Sequence, residues 1–314
     1  YGQNTINNSD SRWNWSTVRG CNAFINNYEK SPAPLAEKQK YAGEIYFFKA
    51  WDYFNKVRTF GDVPWYDTAL GTHDPDLYKG RDSRIVVMDK IVETIDKAIE
   101  LLPKKTSVSR VSKDAAICLK ARICLFEGTY RRYRDIEGGD DFLKLAYDAA
   151  GMLMDPGFGY SLYTEGGPDQ CYFNLFIQPS YKDNPEIILS REYDPEINIG
   201  NDVTRLNGSH GMSRDCFEEY LCSKTGKPGS ICGCHNPSMG MVAEMKNRDG
   251  RLVQSVCVPE AGNPHSNQLF RTINGKIQGG APNIQGMLTA SATRPFYAES
   301  STGYSISKFF SMKD

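Results

Sequence analysis

Tyr41, Gly43, Phe47, Trp51 and Tyr53, followed by Arg58-Thr59-Phe60-Gly61-Asp62-Val63-Pro64-Trp65-Tyr66, decide the reading of this chain. The rings sit at helical spacing. Gly61 supplies a stop, because glycine takes the left-handed conformation that ends a helix, and Pro64 forbids continuation. An extended segment carrying Trp65 and Tyr66 follows. The helix runs from about Leu35 to Phe60. Tyr41, Ile45 and Phe48 mark one side, and Tyr46, Ala50, Tyr53, Val57 and Phe60 another. A helix apolar nearly all round is sandwiched between neighbours.

Those neighbours are legible on both sides. Upstream, residues 12–30 carry Trp15, Val18, Cys21, Phe24 and Tyr28 before Pro32 and Pro34. Downstream, the stripe Ile85, Met88, Ile91, Ile95, Ala98, Leu102 keeps three- and four-residue steps from Ser83 to Pro103. Ser112 can cap a further helix, with Asp114 in its first turn favouring the helix dipole. Another follows Asp140 and closes at Pro156-Gly157. The spacing predicts a mostly α fold of tetratricopeptide-like helical hairpins, looser than a regular 34-residue repeat. After about residue 158 Gly, Pro, Asn and Ser rise and periodicity fades. Glu186–Tyr193 reads as a strand, Asp215–Tyr220 as a short helix and 259–300 as mostly loop. The expected organisation is a helical part, 1–157, and a loop-rich part, 158–314, packed on it as one unit.

Composition excludes several classes. A formal net charge of −1 gives no concentrated basic face for nucleic acid. No apolar run approaches the roughly 18 residues of a membrane span. The chain opens Tyr1-Gly2-Gln3-Asn4 without a signal-peptide pattern and closes Ser311-Met312-Lys313-Asp314 without a stop signal, so it reads as part of a longer protein. The nine cysteines are an odd number, leaving at least one thiol unpaired. Cys21, Cys118 and Cys124 read as small core residues. Cys216, Cys222, Cys232 and Cys234, with His235, form the less ordinary group. Cys-x-Cys-His lacks the two-residue gap of a zinc knuckle, so free thiols are expected there, ahead of a local disulfide or a metal.

Enzyme signatures are weak. Gly208-Ser209-His210-Gly211 is not a nucleophile elbow. Gly226-Lys227 lacks the glycine spacing of a phosphate loop, and no His-Glu-x-x-His pair exists among His73, His210, His235 and His265. Asp135–Asp141 does not fit a Ca²⁺ loop. Neither catalytic residues nor a cofactor nor a metal is expected.

The opening stretch resembles the "Y…E…RA..Y…..YGDVP" pattern of the SusD/RagB proteins. Further segments resemble that family in the same order. Val18-Arg19-Gly20-Cys21-Asn22 is similar to "IR..N". Arg81-Asp82-Ser83 with Ile91, Ala98 and Leu101-Leu102-Pro103 is similar to the helix ending "A…LP". Arg110–Ala116 through Lys120-Ala121-Arg122 and Tyr130 resembles "R.tk.AA.aLkARvyLy". Asn184–Ile188 resembles "NpEiIf", and Asn247–Leu252 resembles "..RDpRl". The lipid-bearing cysteine and the late "RYAEvlLnyAEA" helix are not among these residues. The resemblance implies a surface-exposed outer-membrane lipoprotein that captures glycan and releases it to a TonB-dependent, SusC-like barrel, without catalysis. Membrane attachment would run only through a lipid anchor outside this sequence.

Sugar binding needs an aromatic face against the C–H side of a pyranose, with amides, carboxylates or guanidinium groups meeting the hydroxyls. Trp13 and Asn14 at the first helix, Trp65 and Tyr66 after the helix stop, and Tyr78 and Arg81 in the following loop are the candidates of the helical part. His210, Arg294 and Tyr297 are those of the loop-rich part. Family resemblance favours Trp13 and Tyr297. Trp15, one turn before Val18, is expected to face the core. The alternatives are peptide capture within the same family, an intracellular helical-hairpin adaptor, which many free thiols favour, and a glycoside hydrolase, which would turn oligosaccharide over.

Overall fold

Residue by residue, the stop at Gly61 sets where the second helix ends. In the computed structural model, which describes residues 10–193, 211–236 and 241–256, short pieces at 270–273 and 276–279, and residues 306 and 308, α2 spans Leu35–Phe60. Gly61 follows with φ +72° and donates its N–H to Val57 O at 2.9 Å. Helix α1 spans Ser16–Ile25, α3 Arg84–Leu101, α4 Lys113–Arg132 and α5 Gly139–Met154. Each packs on the next in chain order, the arrangement of successive helical hairpins.

The caps explain the boundaries. Ser83 Oγ accepts the Ile85 N–H at 3.3 Å, and Asp62 Oδ1 accepts that of Arg84 at 2.8 Å, so α3 starts where its orphan donors find partners. Ser112 Oγ accepts the Ala115 N–H at 3.3 Å. Helix α1 is shorter than the 12–30 expected. Asn14 Oδ1 takes the Ser16 N–H at 2.8 Å and fixes the start, and a separate 3₁₀ turn holds Tyr28–Lys30.

Two compact units divide the chain. One is Tyr1–Ser161 with Pro185–Arg191; the other is Leu162–Asn184 with Glu192–Asp314. The first contains the main core, in which Phe47, Tyr53, Met88, Ile91, Ile95 and Ile123 are almost wholly buried. Segment Glu186–Tyr193 is not the strand expected. It runs along the turn between α3 and α4, where Ser190 N–H meets Val108 O at 2.7 Å and Lys105 Nζ meets Ile187 O at 3.0 Å. A ladder needs a neighbouring strand edge, and helix termini supply none there. The second unit has short helices at Cys171–Leu175, Arg214–Glu218, Met241–Met245 and Gly250–Val253. Within the stretch expected to be loop, Phe270–Ile273 pairs antiparallel with Lys276–Gly279. In the sequence Asn274-Gly275 stands between these two pieces, a dipeptide that favours a tight hairpin turn.

Helix α4 brings an ionic group into the core. Glu127 is fully buried, with Arg84 Nε at 3.0 Å from Oε2 and Arg131 Nε at 2.9 Å from Oε1. The Arg84 guanidinium also lies 3.6 Å from the Tyr130 ring centre. Next to it, Gly128 lets α4 touch the start of α5: a Cβ there would come within 2.8 Å of Leu143 N and 2.9 Å of Gly139 O. Backbone cannot yield as a flexible side chain can. Glu127→Gln, which strands two guanidinium groups, should lower stability by about 3–5 kcal/mol. Gly128→Ala should cost about 1–3 kcal/mol through overpacking. Denaturant unfolding checks both, and a change under about 0.5 kcal/mol would count against these contacts.

Candidate functional site

The segment between α2 and α3 is tied down from several directions before it offers anything to a ligand. Val63 and Asp82 form an antiparallel bridge, with Asp82 N–H to Val63 O at 3.2 Å. The Asp82 carboxylate accepts the Trp65 N–H at 2.6 Å and the Lys79 ammonium at 3.0 Å. The Tyr53 hydroxyl, inside the core, accepts the Tyr66 N–H at 2.8 Å. From α1, the buried Asn22 donates through Nδ2 to Tyr66 O at 2.8 Å and Thr68 O at 3.0 Å. Those two carbonyl acceptors fix which end of the amide carries nitrogen. Among the described residues, Asn22 Oδ1 is left without a hydrogen-bond partner.

The segment before α1 is held equally. Lys56 of α2, 4% exposed, donates to Arg12 O at 3.3 Å and to Asn14 O, and its ammonium stands 4.9 Å from the Trp15 ring centre. Trp13 meets Trp15 edge-on at 5.2 Å and Phe60 at 4.8 Å, while Trp15 meets Tyr66 at 5.4 Å. Such T-shaped contacts contribute beyond the area they bury.

Together these elements enclose a pocket of about 440 Å³. Trp13, Trp15, Tyr66, Val18, Pro64, Leu70 and Leu77 supply its apolar wall; Ser16, Arg19, Asn22, Thr68 and Lys79 supply polar groups. Its size lies within the usual range of small-molecule sites, as does the mix of an apolar wall and a few convergent polar atoms. Burial pushes the Tyr66 hydroxyl pKa up, against the pull of Lys79, so at neutral pH it stays a phenol able to donate. A second cavity of about 580 Å³, at Arg12, Asp52, Asn55, Lys56, Arg58, Thr59, Phe60 and Phe126, presents mostly charged and amide groups.

Of the candidates named from the sequence, Trp13 and Tyr66 meet in the pocket wall. Arg81 stacks over Trp13 at 4.9 Å, and Asn14 adjoins Trp13 as the start signal of α1. Tyr78 is 89% exposed, beside the lining residues Leu77 and Lys79 but not itself in the wall. Trp65 is 6% exposed. Tyr53 stacks on it at 4.1 Å, the Lys49 ammonium lies 4.9 Å from its ring centre, and its Nε1 donates to Asp67 at 2.7 Å. That ring is packed inside the fold and not presented. His210, Arg294 and Tyr297 lie outside the described residues. Trp15, expected in the core, packs against it and also lines the pocket. Asn22, Arg19 and Lys79 were not among the candidates. Asn22 had a signal: an amide on the Trp15–Val18 stripe of an otherwise apolar helix face.

Known proteins resemble this chain in part of its sequence and in its fold. Residues 12–125 match the SusD-like family described as starch-binding and associating with the outer membrane. A SusD-like protein of Formosa agariphila is 30% identical over 102 residues, which are 32% of this chain and 20% of that protein. The fold matches the crystal structure of a SusD-like protein from Bacteroides fragilis with a TM-score of 0.65 and 22% identity, covering 95% of this chain and 56% of that one. A SusD-like carbohydrate binding protein from the same species matches with a TM-score of 0.57 and 19% identity over 77% of this chain and 45% of its own. Helical hairpins with an irregular second half are thus the SusD-like architecture. The family match covers the helical stretch 12–125, the likeness to the solved structures is one of fold, and the chain spans about half the length of the solved relatives it matches.

Asp82 makes the site's order dependent on pH. Burial pushes its carboxyl up, but the Trp65 N–H and the Lys79 ammonium together outweigh that and hold it below the usual carboxylate range. A depressed folded value stabilises above the ordinary carboxylate pKa and is lost as pH falls through the lowered one. Tryptophan emission should therefore change as the pH falls below the ordinary carboxylate range and the clasp at Trp65 releases. Asp82→Asn should shift that change or remove it. An identical acid transition in the variant would show that Asp82 does not hold the segment.

Proposed function

We propose that this protein binds glycan at the cell surface without catalysis and hands it to a TonB-dependent, SusC-like transporter of the outer membrane. The observation that carries the reading is the rigid aromatic pocket of Trp13, Trp15 and Tyr66, floored by an Asn22 amide with an open acceptor. Indole and phenol rings suit the C–H face of a sugar, and Asn22 Oδ1, the Tyr66 hydroxyl, Arg19 and Lys79 suit its hydroxyl groups. Buried amide groups are costly when left unpaired, so an incoming hydroxyl gains there what water-exposed groups would not give. Asn14, Tyr78 and Arg81 stand at the rim of this proposed set. The family's description as starch-binding and outer-membrane-associating, and the printed description of the second solved relative as carbohydrate binding, support the choice of glycan over peptide. No helix among the described residues is long and apolar enough to cross a membrane.

Affinity electrophoresis of the full-length protein against a polysaccharide panel tests the binding, with labelled oligosaccharide followed for cleavage. Saturable retention without cleavage is expected. Trp13→Ala and Tyr66→Ala should each weaken binding by about 1–2 kcal/mol, roughly a five- to thirtyfold loss. Tyr78→Ala should change it little. Undiminished binding in the first two variants would move the site elsewhere, and turnover of oligosaccharide would overturn the non-catalytic reading. Co-purification with a β-barrel transporter from the outer membrane tests the partner.

A further inference from the structure

We propose that Cys222, Cys232, Cys234 and His235 form a structural zinc site in the irregular second unit. The Sγ atoms of the three cysteines all lie within 4.8 Å of one another. Tetrahedral zinc, with Zn–S of about 2.3 Å, holds its thiolates about 3.8 Å apart, so these sulfurs need to close by at most about 1 Å.

The short Cys-x-Cys spacing, which counted against a metal in the sequence, is resolved by the backbone. Gly233 sits at φ +69°, in the left-handed region that glycine alone takes at no steric cost. The chain folds back there, and Cys234 N–H points at Cys232 Sγ at 3.4 Å. Cys222 comes from a separate tight turn: its C=O accepts the Gly226 N–H and its N–H donates to Lys227 O, both at 2.8 Å. The turn is anchored from behind by Arg248, 7% exposed, which donates to Tyr220 O at 2.9 Å and Phe217 O at 2.8 Å.

His235 is the independent pointer to a ligand. Both its ring nitrogens are buried, and among the described residues neither has a hydrogen-bond partner. A buried imidazole left so is costly unless something occupies a nitrogen. The three sulfurs make the cluster; with His235 swung in as the fourth ligand the site would be closed and supply no open position for catalysis. Its role is mechanical. The apolar cluster of this region is small, Phe217, Met245, Leu252 and Val256, and small cores gain most from a metal crosslink.

Cobalt(II), which takes the same tetrahedral ligands and reports on them by colour, provides the test. The full chain, reduced and stripped with chelator, is titrated with cobalt(II) without oxygen. Thiolate-to-cobalt charge-transfer absorption should saturate at a single equivalent, with intense visible bands, and zinc should bleach both. Cys234→Ser, at an exposed position that tolerates serine, and Cys222→Ser should each lose the saturating band. Cys216→Ser should keep it, and His235→Asn should keep the thiolate absorption while shifting the visible bands. Far-UV circular dichroism of each variant separates lost ligation from lost folding. No saturable absorption in the folded parent, an intact mass showing a disulfide among these cysteines, or equal loss in Cys216→Ser would overturn the site. An unchanged cobalt spectrum in His235→Asn would remove His235 from it.

Discussion

Burial of one broad face of α2 is the constraint from which the first unit follows. Ala42, Phe47, Ala50, Tyr53, Phe54 and Val57 are all at most 4% exposed, whereas Tyr41, Phe48 and Trp51 stand more than 40% exposed on the opposite stripe, so the helix is covered on a broad face and not all round as its apolar pattern suggested. Such a helix must be covered by α1 on one flank and α3 on the other, and the chain leaving it must turn at once. Gly61 makes that turn, and the core itself then reaches out: the Tyr53 hydroxyl takes the Tyr66 N–H, and Lys56 takes the carbonyls before α1. The pocket therefore lies on a surface whose backbone is fixed by buried groups, which is what a binding site needs in order not to lose affinity to ordering.

Buried charge serves the same end in both units by different routes. In the first, Glu127 binds Arg84 and Arg131 where α3, α4 and the turn after α4 converge. In the second, where apolar periodicity is poor, single polar side chains do the tying. Arg248 holds the carbonyls of 217–220. Gln254, 1% exposed, accepts the Phe173 N–H at 3.1 Å and donates to Pro168 O at 2.9 Å. Such long-range side-chain bonds leave no trace in hydrophobic periodicity.

That difference explains how much the sequence disclosed. Helices α2 to α5 were legible because their stripes, serine caps and proline or glycine stops are local signals. Segment 186–193 was misread because its β-branched and apolar residues suit a strand, while pairing depends on a neighbour that local sequence does not reveal. Trp15 and Trp65 have similar local surroundings in sequence, and only tertiary packing decides that one lines a pocket while the other is stacked under Tyr53. Asn22 was visible as an odd amide on an apolar stripe. Its two bonds to the carbonyls of Tyr66 and Thr68 span more than 40 residues and were not. The Cys-x-Cys spacing by itself disfavours a metal, and a positive φ at Gly233 changes what that spacing can reach.

The central claim is that the rings around Trp13 and Tyr66 receive the ligand. Hydroxyl-radical footprinting with and without a bound oligosaccharide, read by mass spectrometry at single residues, addresses it most directly. Ligand should protect Trp13, Trp15 and Tyr66 while leaving Trp51, 42% exposed on α2, oxidised as before. Protection elsewhere with Trp13 and Tyr66 unchanged at saturating ligand would contradict it.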